Sequence, residues 1–276
     1  MPEILVIGAT GKTGRRLAGQ LARHGATVRP ASRQAGTWRF DWDDPATWGP
    51  ALDGVDGVYF LPPAARLDFV PLMTAFIGRL APAGVSRAVF LSFRGADAGN
   101  DNPFRQTELA LLASGTGATV IRPSLFSQNF TEGFLAPPIR DQAVIAAPAG
   151  TGRVPFIDAG DIAAVAAAAL LNDGHAGRAY DLSGPRVLSF ADAAATLSAA
   201  TGRTIGYLDV PATDWQAGTI AAGVPADYAR FLSVLFETLR AGQHDYLADG
   251  VQQVLGRQPR AFGDWAHAEA AQIPAR

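Results

Sequence analysis

The sequence predicts an α/β protein with a doubly wound parallel sheet, and three observations carry that prediction. A short, largely β-branched run, Ile4-Leu5-Val6-Ile7, opens the chain and closes on glycine, which favours a buried strand. A helical repeat follows at once, with Leu17 and Leu21 and the small Ala18 and Ala22 recurring at helical spacing. Strands and helices then keep alternating to about residue 126, the pattern that right-handed crossovers impose on a parallel sheet.

Between the first strand and the first helix lies Gly8-Ala9-Thr10-Gly11-Lys12-Thr13-Gly14, spaced G-x-x-G-x-x-G. Glycines there let the backbone approach a pyrophosphate, whose charge is met by N–H groups and the positive end of the helix dipole. This context makes the fold Rossmann-type and the loop a dinucleotide site. Residues 26–32 read as a second strand and 38–41 as a short third. A helix over 45–52 follows, capped by Asp44 with Pro45 at its first position. A fourth strand spans 56–61 and stops at Pro62-Pro63; a helix over 68–80 leads to a fifth at 87–92. A helix over 103–113 precedes the sixth, 118–121.

Ligands of such sheets bind beyond the carboxyl ends of the strands. One edge therefore gathers the Gly8–Gly14 loop, Ser32-Arg33, Asp41-Trp42, Leu61-Pro62-Pro63, Ser92-Phe93 and Pro123-Ser124-Leu125-Phe126. Beyond residue 126 the alternation loosens. Residues 127–138 are aromatic and turn-rich, helices are expected over 158–171 and 189–200, and strands over 179–182 and 204–210. Two or three more helices are expected to start near Asp214, Ala226 and Asp249. The expected organisation is one domain over 1–276, with 1–126 mainly binding the dinucleotide and 127–276 mainly forming a smaller substrate-binding lobe.

Composition narrows the function classes. With 48% apolar and 17% charged residues the chain has the makeup of a compact globular protein. A net charge of −2 with scattered arginines gives no basic patch, so no nucleic-acid partner is expected. The absence of cysteine removes disulfides, thiol nucleophiles and thiolate metal sites, and suits a reducing cytoplasm. No secretory signal is read at the acidic N-terminus, and no membrane span, because the longest apolar stretch is far below the ~20 residues required. The four histidines are isolated, without metal-ligand spacing, so no metal is expected. No serine sits in a G-x-S-x-G elbow, and G-x-x-x-x-G-K-[ST] is absent, which argues against hydrolase and nucleotide-hydrolysis chemistry.

The end of the second strand selects the dinucleotide, because an acidic residue there would bind the ribose 2′-hydroxyl and repel a 2′-phosphate. This chain has Ser32-Arg33. A hydrogen bond to a charged group contributes ~1.5–3 kcal/mol, so NADP(H) is the expected cofactor, with Lys12 a second cation for the same phosphate.

Several stretches together resemble the NmrA-like atypical short-chain dehydrogenase/reductases. They are the Gly8–Gly14 loop, Thr107-Glu108 with Ala113-Ser114-Gly115, Ile121-Arg122-Pro123-Ser124-Leu125-Phe126-Ser127-Gln128-Asn129-Phe130, Val154-Pro155-Phe156-Ile157-Asp158 with Asp161-Ile162-Ala163, Tyr180-Asp181-Leu182-Ser183-Gly184-Pro185, and the closing run from Leu255 to Phe262. The resemblance covers nearly the whole chain and leans toward bacterial relatives of the ergot-alkaloid-type reductases and toward NADPH:quinone reductases. It implies that Ser124, Leu125 and Phe126 lie near the nicotinamide and Asn129 and Phe130 near the acceptor. It also places Ser92 where related enzymes carry a catalytic serine or threonine.

Most short-chain dehydrogenases use Tyr-x-x-x-Lys, in which lysine lowers the tyrosine pKa. Lys12 is the only lysine here and lies in the phosphate loop, so that mechanism is excluded. The chemistry left to an enzyme is direct hydride delivery from NADPH to a small apolar electrophile, an iminium, a quinone or an enone. Ser92 is the candidate donor to a developing oxyanion. Phe93, Phe126, Asn129, Phe130 and Tyr228 are the candidate substrate-binding residues, with His244 held beside Tyr228 as a reserve proton donor. The alternatives are a non-catalytic NADP(H)-binding sensor acting through a protein partner and a non-redox cyclase or isomerase on the same scaffold. A homodimer is one state the sequence leaves open.

Overall fold

Seven strands, all parallel, form the principal sheet of this computed structural model, which describes residues 1–33 and 38–270. In spatial order they are β3 (Trp38–Arg39), β2 (Thr27–Ser32), β1 (Glu3–Ile7), β4 (Gly57–Phe60), β5 (Arg87–Leu91), β6 (Gly117–Pro123) and a last strand, Arg178–Leu182. The order reverses between β1 and β4, where Val6 stands between Pro30 on one side and Tyr59 on the other. A reversal of that kind opens a crevice at the carboxyl ends of the two strands.

The central strands β1, β4 and β5 are apolar on both faces because helices cover both. On one face Leu5, Ile7, Val58, Phe60 and Phe90 pack with Met73, Phe76 and Leu80 of the helix Val70–Leu80. On the other, α1 (Lys12–Arg23) buries Leu17 and Leu21 and packs against the helix Ala159–Leu171. A Cβ at Gly57 would stand 2.8 Å from Cδ1 of Ile4 and 3.3 Å from Cδ2 of Leu170, so glycine is what allows that helix to approach.

By internal contacts the chain forms two units. The first holds the described residues of 1–123, 159–182 and 250–257, and the second those of 124–158, 183–249 and 258–270. A contiguous division after residue 126 does not describe this, because the chain returns to the sheet to supply its seventh strand and the alanine-rich helix over it. That helix begins at Ala159 and the strand at Arg178, close to their expected positions.

The second unit has a core of Phe130, Phe156, Phe190, Phe236, Phe262 and Trp265. Around it stand the helices Phe190–Thr201, Ala226–Arg240 and Phe262–Glu269 and a two-stranded parallel pair, Val144–Ala147 with Gly206–Asp209. Ser189 caps the first of these helices in a capping box with Asp192. Neither the helix over 262–269 nor the strand over 144–147 was expected from the sequence. Among the described residues no helix is long and apolar enough to cross a membrane.

Candidate functional site

The phosphate loop begins where β1 ends. Gly8 has φ +75, in the left-handed region that glycine occupies without strain. The N–H groups of Gly8 and Ala9 both donate to the carbonyl of Ala31 in β2, at 3.0 and 3.2 Å, and the Gly11 N–H donates to the Gly8 carbonyl at 2.9 Å. The loop is thereby tied down before any ligand arrives. A Cβ on Gly8 would meet Cδ2 of Leu61 at 2.8 Å, so the end of β4 abuts the turn. A Cβ on Gly14 would collide with the carbonyl oxygen of Gly8 and come within 2.9 Å of Cα of Ala9. Glycine at 14 therefore lets the first turn of α1 rest directly on the loop.

The N-cap of α1 is Gly11, which has no side chain to cap it, and no acidic residue sits in its first turn. An uncapped helix start directs backbone N–H groups and the positive dipole end at whatever occupies the loop's open side. Thr10, at the tip, is exposed. Thr13 is buried, and its hydroxyl lies 2.7 Å from the hydroxyl of Tyr59, which is fully buried on β4. Burial pushes the Tyr59 phenol far above its ordinary range, so it stays protonated.

Along the β2 side, Ser32 is buried and Arg33 is exposed just past the strand. Trp42 is a packed residue: its ring stands edge-on to Phe40 at 4.8 Å and to Phe76 at 5.1 Å, and it is buried. The backbone carbonyl of Asp41 accepts from the indole of Trp48 at 2.8 Å, and its carboxylate accepts from the Asp43 N–H at 3.1 Å. These bonds tie Asp41 and Trp42 to the aromatic cluster under the strand ends. Leu61, Pro62 and Pro63 are half-buried.

At the end of β5 the sequence did not foresee what Ser92 touches. Its hydroxyl donates to Oε1 of Glu108 at 2.6 Å. Glu108 is completely buried on the helix Pro103–Leu112 and is held by Arg122 of β6 through two bonds, Nε to Oε1 at 2.9 Å and Nη2 to Oε2 at 2.7 Å. Arg105 adds a third bond, at 3.1 Å to Oε2. Arg122 also reaches Asp97 at 2.5 Å and lies 3.7 Å from Asp181, whose pKa burial raises against the pull of that arginine. A serine has one proton, and here it is given to a carboxylate. That commitment leaves Ser92 no donor for an oxyanion. A glutamate among the apolar residues of a helix, as Glu108 is among Leu109, Leu111 and Leu112, is the signal that could have marked this cluster. Beside it, Phe93 is half-buried and edge-on to Phe104 at 4.9 Å.

Lys12, half-buried in the first turn of α1, and Pro123, buried at the end of β6, lie in the first unit; the other expected residues belong to the second. The Ser124 hydroxyl donates to the Pro155 carbonyl in a short bond. Phe126 is half-buried and bridges to Ile157, while its carbonyl accepts from the Asn129 N–H at 3.0 Å. Asn129 is buried. Phe130 is fully buried, with the ring centroids of Phe156 and Phe262 at 5.1 and 5.3 Å, so its ring is enclosed by core partners. Tyr228 is half-buried near Phe231, and desolvation raises its phenol. His244 is paired through Nε2 with Thr238 at 3.0 Å.

No family model matches the chain. Among curated proteins it is 34% identical to an NAD(P)H azoreductase of Xenophilus azovorans, over 97% of this chain and 98% of that one. It is also 34% identical to a (4-alkanoyl-5-oxo-2,5-dihydrofuran-3-yl)methyl phosphate reductase of Streptomyces griseus, over 97% and 98%. Among solved structures, one described as a nucleoside-diphosphate-sugar epimerase from Staphylococcus aureus matches with a TM-score of 0.81 and 23% identity, covering 97% of this chain and 100% of that one.

Proposed function

The chain belongs to the NmrA-like atypical short-chain dehydrogenase/reductase family, and from that premise we propose that it is an NADPH-dependent reductase of small apolar electrophiles, in which the nicotinamide would supply the hydride. The coarser statement, an oxidoreductase that uses NAD(P)H on a small molecule, follows from relatives of that activity along the chain's whole length. The observation that carries the dinucleotide site is the start of α1, and the exposed Arg33 beyond β2 favours the 2′-phosphate. An uncapped helix, seated on a glycine hinge at the point where strand order reverses, fits a pyrophosphate by its donor chemistry.

In this reading the Gly8–Gly14 loop holds the pyrophosphate, with Thr10, Lys12 and Thr13 around it. Ser32 and the exposed Arg33 take the 2′-phosphate, since a guanidinium can grip a phosphate through two parallel bonds. Leu61, Pro62 and Pro63 keep water away from the loop's flank, and Phe93 offers an apolar edge to a planar acceptor. Ser124, Phe126 and Asn129 retain the roles the family resemblance gives them, while Phe130 is left out because its ring is enclosed.

In this reading no acid pair for a carbonyl stands at this edge among the described residues. Lys12 is its only lysine, and the Ser92 proton is held by Glu108. An acceptor that already carries its electrophilicity, such as an iminium, a quinone or a conjugated enone, needs positioning and little proton transfer, which suits these residues. The test is NADPH oxidation, followed by the loss of reduced-nicotinamide absorbance, against a panel of quinones, enones, cyclic imines and simple ketones. Turnover of the activated acceptors with ketones inert supports the reading; ketone reduction at comparable rates contradicts it.

A further inference from the structure

We propose that Tyr59 is a positioning residue for the cofactor: it donates its phenolic hydrogen to Thr13, which frees the Thr13 hydroxyl to donate to a phosphate oxygen in the loop. The proposal rests on the dinucleotide reading above and extends it to a residue with no surface of its own.

Two hydroxyl hydrogens and the acceptors open to them decide which oxygen donates. The two hydroxyls lie 2.7 Å apart, a hydrogen bond in which either oxygen could be the donor by distance alone. Tyr59 is 0% exposed. If Thr13 donated, the phenolic hydrogen would stand inside the fold with no acceptor among the described residues, the cost of a buried unmade bond. If Tyr59 donates, its own hydrogen is satisfied and the unsatisfied one moves to Thr13. Thr13 is 4% exposed and sits in the first turn of a helix that no side chain caps. Among the described residues its hydroxyl has Tyr59 as its hydrogen-bond partner and no carbonyl acceptor for its hydrogen. That hydrogen is left for an acceptor that a ligand brings to the helix start, where the dipole and the loop amides favour an anion.

Only this arrangement spends both hydrogens well, and it does so only when an anionic oxygen is bound. The pair thus aligns a donor in advance, at a loop side chain anchored to the sheet. Burial keeps the phenol protonated throughout the working pH range, so the direction of the relay does not change with pH.

The experiment is calorimetric titration of wild type, Tyr59→Phe, Thr13→Val, Thr13→Ser and the Tyr59→Phe/Thr13→Val double variant with NADPH and NADH. Thermal unfolding is recorded on the same samples. Loss of the phenolic hydroxyl is expected to weaken both dinucleotides by the same factor, roughly threefold to tenfold, because both carry the pyrophosphate. Thr13→Val is expected to cost roughly tenfold or more, Thr13→Ser to stay near wild type, and Tyr59→Phe to add nothing to the affinity loss once Thr13→Val is present. In that background it should instead raise the melting temperature, since it removes a phenol left without an acceptor. Tyr59→Phe with wild-type affinity for both dinucleotides overturns the relay alone, and so does an affinity loss that adds fully to that of Thr13→Val. A wild-type chain that binds neither dinucleotide overturns the cofactor reading and the relay with it.

Discussion

Gly14→Ala adds one methyl group to the chain, and the structure says where it goes. The new Cβ would collide with the carbonyl oxygen of Gly8 and lie 2.8 Å from its carbonyl carbon and 2.9 Å from Cα of Ala9. Carbon atoms rest at about 3.5–4.0 Å, so α1 must back away from the loop by roughly 1 Å. No rotamer change can relieve the overlap, because all three neighbours are backbone. Overpacking of this kind costs about 1–3 kcal/mol, or roughly 2–10 °C in melting temperature for a chain of this size. The same displacement moves the first-turn N–H groups, and a misplacement of about 1 Å at a site of oriented groups can cost on the order of a hundredfold. Affinity for NADPH and for NADH should fall together. Gly19→Ala is the matched control: it is the same substitution on the same helix, at an exposed position with nothing within 4 Å of the added Cβ. It should stabilise by about 0.5–1 kcal/mol and leave affinity unchanged. Scanning calorimetry and titration of both variants decide the matter. Gly14→Ala with wild-type dinucleotide affinity would refute the argument that helix and loop must touch.

Other perturbations separate the parts of the site. Arg33→Ala should weaken NADPH by about tenfold to a hundredfold and NADH little, read as the ratio of the two dissociation constants; equal losses would remove the 2′-phosphate assignment. Ser92→Ala should lower the melting temperature while holding kcat within about twofold, because its proton already belongs to Glu108; a large fall in kcat at unchanged stability would return Ser92 to catalysis. Glu108→Ala leaves Arg122 buried without its main partner and should cost about 3–5 kcal/mol in denaturant unfolding, so a near-neutral effect would mean the cluster is not the buried clamp described. The Asp181 carboxyl is raised by burial. A raised acid contributes stability below its unfolded pKa and loses it as pH rises through the folded value. Asp181→Asn should therefore stabilise the fold at neutral pH, with the gain vanishing toward acid pH; a gain that grows on acidification would reverse that sign.

What was legible in the sequence was local. The run Ile4–Ile7, the glycine turn and the Leu17/Leu21 stripe are neighbours in the chain, and each obeys one periodicity, so strand, loop and helix could be placed to within a residue or two. The strand-end rule then put Leu61 near the loop, and its methyl group lies where a Gly8 side chain would be. What escaped was non-local. The strand Val144–Ala147 exists because it pairs with Gly206–Asp209, about sixty positions on. The helix Phe262–Glu269 carries an internal glycine and no side-chain cap, and forms because Phe262 and Trp265 complete the second unit's core. Phe130 looked like a pocket residue for its aromatic surface, yet four other rings of that core, Phe156, Phe190, Phe262 and Trp265, stand around it. Ser92 and Glu108 are 16 residues apart on different elements, and only the packed fold puts a carboxylate on that hydroxyl. Tyr59 was indistinguishable from its apolar neighbours in β4 until its hydroxyl met Thr13.

The central claim is that the Gly8–Gly14 loop binds a dinucleotide that the chain then oxidises. Titration of the purified protein with NADPH and NADH, followed in the same samples by addition of a quinone, an enone and a cyclic imine, tests it most directly. The account predicts tighter binding of NADPH than of NADH and oxidation of NADPH by at least one of these acceptors. Absence of binding by either dinucleotide would contradict it.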